Sequence, residues 1–189
     1  MKNKKFEIVV AKSIIEWTGR KVTGAHNGTI GIKEGTLVFN DDELINGQFI
    51  IDTTSIKILD ITDPATNSQF AGHLASDDFF SSEKYPQAIF TITAVERNGK
   101  DEYKITGDLT IKGIKNPVTF NARLHVDDDM VTASGKIRVD RTLYGMRFRS
   151  GNFFKDLGDT LIYNDFELNL NITAKALAEP AMVDSRAIN

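Results

Sequence analysis

The chain has 189 residues, no cysteine and a formal net charge of −3, with 41% hydrophobic and 26% charged residues. These values are typical of one globular domain that buries a sizeable core. The missing cysteine excludes disulfides, thiolate metal sites and cysteine nucleophiles. Scattered basic residues and a negative net charge argue against a nucleic-acid partner. No apolar run is long enough to span a bilayer, so an integral membrane protein is not expected.

The opening segment, MKNKKFEIVVAK, predicts a first strand. Its apolar run is too short for a signal peptide, and Glu7 interrupts it. We therefore expect a periplasmic or secreted protein if a leader was removed earlier, and a cytoplasmic protein otherwise. Four short strand candidates follow, each bordered by glycine: SIIEWTG, GTIGI, GTLVF and GQFIID.

A helical segment is predicted between about residues 63 and 82. Asp63 followed by Pro64 is typical of a helix N-cap and first helical position. Phe70 and Leu74 are four residues apart and would share one helical face. Asp77 is predicted to cap a second short turn that carries a pair of phenylalanines, Phe79 and Phe80.

From residue 88 onward, apolar and polar residues alternate with period two in five segments, which predicts antiparallel strands with one apolar face. The segments are IFTITA, YKITGDLTI, VTFNARLHV, VTASGKIRV and FELNLNI. Asn98-Gly99 is a hairpin signal between the first two, and KGIKNPV and VDDDM are predicted corners. SGNFFKDLGD, residues 150–159, is a weaker helix candidate.

These elements predict an all-β fold of roughly eight antiparallel strands, with one or two short inserted helices. A sheet with one apolar face must close on itself or pack against a second sheet, and periodicity alone leaves both open. A closed eight-stranded barrel would have room for one small ligand. We expect residues 1–176 to form this single domain and residues 177–189, which lose the alternation, to form a loosely ordered tail.

Several blocks resemble the YceI-like family. HLASDDFFSSEKYPQAIF, residues 73–90, is similar to the family's His-Leu, acidic, paired-aromatic and Tyr-Pro pattern. GAHNG, GQFIIDTTSI, GDLTIKGIKNPVTF and VDRTLYGMRFRSG agree with it in order and spacing. The resemblance covers about residues 6–176.

The resemblance implies an extended lipocalin-like barrel whose apolar channel binds a long isoprenoid lipid, such as a polyprenyl phosphate or a quinone, for transport or storage. It implies no catalysis and no cofactor beyond the lipid itself. The expected partners are the lipid and, transiently, a membrane or an acceptor protein. A homodimer is an expectation by family analogy alone.

If the barrel closes, the inward positions of the strands become candidate ligand contacts, together with two polar residues at the mouth. The predicted binding residues are Trp17, His26, Ile30, Ile32, Phe90, Ile92, Phe120, Leu124, Ile137, Arg141, Phe166, Leu168 and Leu170. Trp17 has the alternative role of anchoring the first strands in the core, and some of the others are expected to be core filler.

The polar candidates each have two interpretations. Arg141 either binds a phosphate or quinone oxygen or forms a structural salt bridge with Asp140 or Asp52. His73 either forms an acid–base pair with Asp77 or Asp78 or, as we favour, hydrogen-bonds to backbone near the barrel end.

Three further expectations concern the same region. Phe79 and Phe80 are expected to pack beneath the rim rather than contact ligand. The three histidines lack metal-ligand spacing, so no metal site is predicted, although a zinc site built from His26 and His73 is the alternative. His125 is expected on the solvated face.

Two other functions stay open from sequence. The first is a hydrolase or isomerase for a lipid-like substrate, using His26 or His73 with a nearby acid. The second is a non-enzymatic interaction protein whose barrel is filled by its own side chains.

Overall fold

The computed structural model describes residues 3–178, which form nine β-strands and one α-helix. The first two strands run in the same direction, the strands alternate in direction from the second onward, and the helix lies between the fourth and the fifth. Their bounds are β1 Asn3–Ile8, β2 Ile14–Lys21, β3 Gly24–Asn40, β4 Glu43–Ile58, α1 Pro64–Ala75, β5 Gln87–Arg97, β6 Glu102–Ile111, β7 Ile114–Asp127, β8 Met130–Asp140 and β9 Ile162–Ala176.

All nine strands belong to one antiparallel sheet that closes through pairing of β3 with β4. β1 and β2 each pair with both β3 and β9, so they occupy one position in the sheet, interrupted by a 3-10 turn at Val10–Lys12. The sheet is therefore an eight-stranded barrel with one broken strand. The predicted fold is confirmed.

The strands bury alternate residues, as the period-two pattern predicted. In β6, Tyr103, Ile105, Gly107, Leu109 and Ile111 are buried, and the residues that alternate with them are exposed or half-buried. Alternation puts one face of each strand inside a closed barrel. The core therefore lies along the barrel axis.

The two ends of the barrel differ. Within residues 3–178, the strand connections at the closed end are tight turns, at residues 41–42, 98–101 and 128–129. The open end carries two tight turns, at 22–23 and 112–113, and two long connections, residues 59–86 and 141–161. Phe6 and Phe39 are completely buried near the closed end, with ring centroids 5.3 Å apart in an edge-to-face contact.

Helix α1 begins where the sequence predicted. The Asp63 side chain accepts a hydrogen bond from the Thr66 backbone N–H at 2.8 Å, and Pro64 is the first helical residue. Leu74 is buried and Phe70 is half-buried against the core. The helix therefore lies across the open end with its apolar face toward the barrel interior.

Three local predictions were wrong. GTIGI and GTLVF belong to one strand, β3, which is 17 residues long. The corner at KGIKNPV is only the two residues Lys112 and Gly113, because Pro117 lies within β7. SGNFFKDLGD forms no α-helix, and its only helical turn is the 3-10 turn at Gly158–Thr160.

Pro117 is tolerated because β7 has a free edge at its position. β7 pairs with β6 from Ile114 to Arg123, but its pairing with β8 begins only at Ala122. Proline has no N–H to donate and is therefore confined to such edges. The wall between β7 and β8 is thus not closed by backbone hydrogen bonds near the open end.

Most of the predicted tail, residues 179–189, lies outside the described residues, while 177 and 178 follow β9 without regular structure. Within residues 3–178, no helix has the length and apolar character needed to cross a bilayer.

Candidate ligand-binding cavity

The barrel encloses a cavity of about 480 Å³. Small-molecule sites commonly have volumes of roughly 300–1,000 Å³. Strands β2–β9 and helix α1 all contribute to the lining, which is overwhelmingly apolar. The alternative of a barrel filled by its own side chains is therefore wrong.

The thirteen residues predicted to contact ligand all line this cavity. Several of them, such as Leu168 and Leu170, are only half-buried although they point inward, because part of their surface faces the cavity. That each contacts a ligand stays a prediction. The apolar and aromatic members are Trp17, Ile30, Ile32, Phe90, Ile92, Phe120, Leu124, Ile137, Phe166, Leu168 and Leu170, and the polar members are His26 and Arg141.

Trp17 lines the wall and is also anchored. Its indole Nε1–H donates to the Thr29 carbonyl at 3.3 Å, and its cross-strand partner is Gly28. A Cβ at residue 28 would lie 1.7 Å from the Lys57 carbonyl oxygen and 2.7 Å from Trp17 Cζ2. Glycine at this position therefore allows the ring to lie flat against the wall.

The cavity is apolar toward the closed end and polar at the rim. Leu44, Ile105 and Leu124 line its deep part. At the rim the lining includes Arg20 and Lys21 at the end of β2 and a second set of polar residues near the start of β9. That second set consists of Arg141, Arg149, Tyr163 and Asp165.

Arg141 is held in the wall by backbone carbonyls, and the predicted salt bridge is wrong. The residue is 3% exposed. Its Nη1 donates to the Met146 carbonyl at 2.7 Å, and Nε and Nη2 donate to the Tyr163 and Ile162 carbonyls at 3.0 and 3.1 Å. Burial lowers the pKa of the guanidinium, and the charge of Asp140 partly opposes this shift.

The two carboxylates predicted to pair with Arg141 have other partners. Asp140 accepts hydrogen bonds from the backbone N–H and the hydroxyl of Thr142, at 2.9 and 2.6 Å. Asp52 does the same for Thr54, at 2.9 and 2.5 Å. Among residues 3–178, Arg141 therefore has no carboxylate partner.

His26 lies at the rim, as predicted, and connects β3 to the segment before α1. Its Nδ1 lies 2.7 Å from Asp60 Oδ2, and Asp60 Oδ1 accepts from the Asn27 N–H at 3.0 Å. The His26 ring packs on Phe70 of α1, with centroids 4.8 Å apart. Burial alone would raise the pKa of Asp60, but the hydrogen bonds from Asn27 and His26 and the His26 charge lower it.

His73 forms a second histidine–carboxylate pair, rather than the expected backbone hydrogen bond. Its Nε2 lies 3.0 Å from Asp78 Oδ2, and its ring makes edge-to-face contacts with Phe79 and Phe148. Asp77 accepts from the Ser81 hydroxyl instead of capping the turn. That hydrogen bond and the charge of Lys84 lower the pKa of Asp77.

The paired phenylalanines line the cavity, which corrects the expectation that they pack only beneath the rim. Phe79 is buried and lies under the Arg141 guanidinium, 5.9 Å from the ring centroid. Phe80 packs on Phe166 of β9, with centroids 6.5 Å apart. The 73–90 segment is therefore part of the cavity wall at the open end.

The histidines show no assembled nucleophile. Within residues 3–178, the imidazole ring of neither His26 nor His73 hydrogen-bonds to a serine or threonine hydroxyl, which a serine-type hydrolase would require. The same range contains no cluster of three His, Asp or Glu side chains arranged to hold a metal ion. His125 is exposed, as expected, 3.8 Å from Asp101.

Part of the cavity lining was not predicted from the sequence. Phe49, Ile51 and Ile56 of β4 line the cavity. The apolar Ile50 masks the alternation of the first two, and Ile56 lies where the β3–β4 register shifts. Met146, Phe148 and Arg149 come from an irregular connection with no periodicity to identify them. The aromatic and basic character of that connection, MRFRSG, was the available signal.

Curated relatives resemble the chain over part of its length. Protein YceI of Escherichia coli O157:H7 is 38% identical over 99 residues, which is 51% of this chain and 48% of that protein. UPF0312 protein plu2095 of Photorhabdus laumondii is 38% identical over 139 residues, 69% of this chain and 65% of that protein. The matched region thus spans about half to two thirds of these relatives.

Solved structures share the barrel. Burkholderia cenocepacia BcnA superposes with a TM-score of 0.70 at 23% identity, covering 89% of this chain and 99% of that one. A polyisoprenoid binding domain from Saccharophagus degradans superposes with a TM-score of 0.65 at 11% identity, covering 91% and 98%. At these identities the likeness is one of fold. The YceI-like domain family matches residues 6–174, nearly all of the barrel, and the chain belongs to this family.

Proposed function

We propose that the protein is a non-enzymatic carrier that binds one long isoprenoid lipid in the barrel cavity, for transport or storage. The observation that carries the proposal is the apolar lining that continues along β9 from Phe166 through Leu168 and Leu170 to Ile172, deep in the barrel. At about 3.3 Å per residue, that is roughly 20 Å of strand. Membership of the YceI-like family and the fold shared with a polyisoprenoid binding domain support this choice of ligand.

The energetics favour a carrier that exchanges its ligand with a membrane. Burying a methylene group is worth about 0.8 kcal/mol, so about twenty buried carbons would gain roughly 16 kcal/mol relative to water. That approaches the practical limit of non-covalent affinity. A bilayer offers the same tail a similar environment, however, so most of this gain cancels when the lipid comes from a membrane. The free energies of the lipid in the cavity and in the bilayer are then similar, so the protein can both take up and release it.

The polar end of the ligand belongs at the rim in this proposal. A guanidinium carries five N–H groups, and three of those of Arg141 donate to backbone carbonyls. The other two remain as donors to a phosphate or quinone oxygen. Arg149 and Lys21 lie on the same rim and would add positive charge near that oxygen.

Mass spectrometry of the natively purified protein tests the proposal. We expect solvent extraction to release an isoprenoid lipid at close to one molecule per chain. Stripped protein should then take up a polyprenyl phosphate or an isoprenoid quinone more tightly than a straight-chain fatty acid, which serves as the matched control. A protein that carries no lipid and binds neither isoprenoid probe would contradict the proposal.

The same uptake experiment distinguishes a phosphate head group from a quinone head group. Preference for the polyprenyl phosphate would assign the rim cations to phosphate binding, and preference for the quinone would assign Arg141 to a carbonyl oxygen.

A periplasmic or secreted location suits exchange with a membrane, and fractionation of cells that express the native gene tests it.

A further inference from the structure

The exposed apolar side chains are unevenly distributed over the barrel. Twelve large apolar side chains are exposed among residues 3–178, and eight of them lie at the open end. Those at the open end are Val22, Leu59, Tyr85, Ile114, Leu143, Phe153, Phe154 and Tyr163, and those on the lower wall or at the closed end are Val10, Ile14, Ile45 and Leu177.

Four of the eight form one surface, which we call the aromatic patch: Val22, Phe153, Phe154 and Tyr163. Phe153 and Phe154 are 46% and 49% exposed. Backbone and side-chain hydrogen bonds hold the segments of the patch together. Val22 N–H donates to Leu161 O at 3.2 Å, Ile162 N–H to Arg149 O at 2.9 Å, and the Ser150 hydroxyl to Asn164 Oδ1 at 2.7 Å.

Basic side chains surround the aromatic patch. They are Lys21, Arg147, Arg149 and Lys155, and none of them forms an ion pair with another residue of the range 3–178. The Arg147 guanidinium lies 4.7 Å from the centre of the Phe153 ring. The acids of the same connection are Asp156 and Asp159, and Asp165 lies at the rim two residues from Tyr163. Four basic against three acidic side chains leave this surface weakly positive in a chain whose net charge is −3.

The cavity opens within this surface. Lys21, Arg149 and Tyr163 belong both to the cavity lining and to the patch or its basic surround. Exposed aromatic rings beside unpaired cations suit the interface of a bilayer, where rings lie at the head-group level and cations meet anionic phosphate. An acceptor protein would also dock at the mouth, so the choice of a bilayer rests on the exposed rings that lie beside unpaired cations.

We propose that the aromatic patch docks the open end of the barrel onto the surface of a bilayer that contains anionic phospholipid. Phe153 and Phe154 enter the head-group region, and Lys21, Arg147 and Lys155 contact lipid phosphates. Docking in this orientation turns the cavity mouth toward the membrane. The proposal holds whichever tail the cavity accepts.

Vesicle flotation with the full chain tests the docking surface. The vesicles contain phosphatidylcholine alone or phosphatidylcholine mixed with phosphatidylglycerol. The wild type should float with the mixed vesicles, less with the neutral ones, and less again at high salt. We expect Phe153→Ser with Phe154→Ser, and separately Arg147→Gln with Lys155→Gln, to reduce binding to mixed vesicles about tenfold or more.

The matched control is Val10→Ser with Ile45→Ser, which removes two exposed apolar side chains away from the open end. This variant should bind vesicles like the wild type. Circular dichroism checks that each variant is folded. Equal flotation of the wild type and the Phe153/Phe154 variant overturns the proposal, as does an equal loss in the control. A wild type that floats with neither vesicle also overturns it and leaves the patch to a protein partner.

Measuring isoprenoid uptake by the same preparations in the absence of vesicles keeps docking separate from cargo binding. None of the four substituted open-end residues lines the cavity, so uptake should be unchanged in both variants. Loss of flotation with normal uptake supports docking, whereas normal flotation without uptake by any preparation contradicts the carrier function alone.

Discussion

Arg141 Nη1 donates to the Met146 carbonyl at 2.7 Å. The buried guanidinium therefore bridges the turn at residues 141–146 and fixes the position of Met146. Its two further bonds reach the Ile162 and Tyr163 carbonyls at the start of β9. One side chain therefore ties the connection after β8 to the strand that follows it. Both segments contribute to the rim of the cavity.

Replacing Arg141 with Met should destabilise the fold by about 3 kcal/mol, because one buried and two partly buried carbonyls lose a charged donor. The comparison is Arg138→Met, three residues earlier on the outer face, where the guanidinium is exposed and pairs with Glu167. That change should cost no more than about 0.5 kcal/mol. Urea unfolding measures both, and similar losses in the two variants would refute a structural role for Arg141.

Replacing Ala133 with Phe should block the cavity without unfolding the barrel. Ala133 lines the cavity on β8, so a phenyl ring there fills space that the tail needs. We expect bound isoprenoid to fall about tenfold or more, while stability changes by less than about 2 kcal/mol. Thr132→Phe, on the exposed outer face next to it, is the control. If Ala133→Phe carries a full complement of lipid, the tail does not occupy this part of the barrel.

Asp60 should make stability depend on pH in the acid range. Its pKa is lower in the folded protein than the usual value near 3.9. A depressed carboxylate pKa stabilises the folded state above about pH 4, and this contribution disappears as the pH falls through the folded pKa. Asp60→Asn should therefore cost about 1 kcal/mol at neutral pH, after allowance for partial exposure, and progressively less below about pH 4.

Urea unfolding of wild type and Asp60→Asn at several pH values measures this difference. A double-mutant cycle with His26→Gln separates the His26–Asp60 contact from the bond to Asn27. A difference that stays constant down to pH 2 would show that the charge of Asp60 is not the stabilising feature.

Replacing each of two glycines with alanine should change the stability of the fold in opposite directions. A Cβ at Gly107 would lie 2.3 Å from Phe90 Cζ and 2.6 Å from the Thr91 carbonyl oxygen, so Gly107→Ala should destabilise by about 1–3 kcal/mol. A Cβ at Gly72 in α1 would meet nothing within 4 Å, so Gly72→Ala should stabilise by roughly 0.5–1 kcal/mol. Thermal unfolding compares the two, and a shift of the same sign in both would contradict the packing at Gly107.

The sequence by itself determined most of the strands, the apolar face of each and the start of the helix. Period-two alternation depends only on neighbouring residues, so it identified inward positions such as Leu168 and Leu170 without knowledge of their partners. The Asp63-Pro64 cap is equally local, since the side chain reaches an N–H only three residues away. The order of the short motifs along the chain also needs no tertiary information, and it indicated the YceI-like family.

Only the tertiary structure decided which polar groups meet and whether the barrel holds empty space. Arg141 pairs with carbonyls up to 22 residues away rather than with the adjacent Asp140, and His73 contacts Phe148 from another connection. Such contacts depend on where irregular segments cross at the open end, and no periodicity encodes that. The cavity depends on the summed volume of side chains from eight strands and a helix, a quantity that exists only once the sheet has closed.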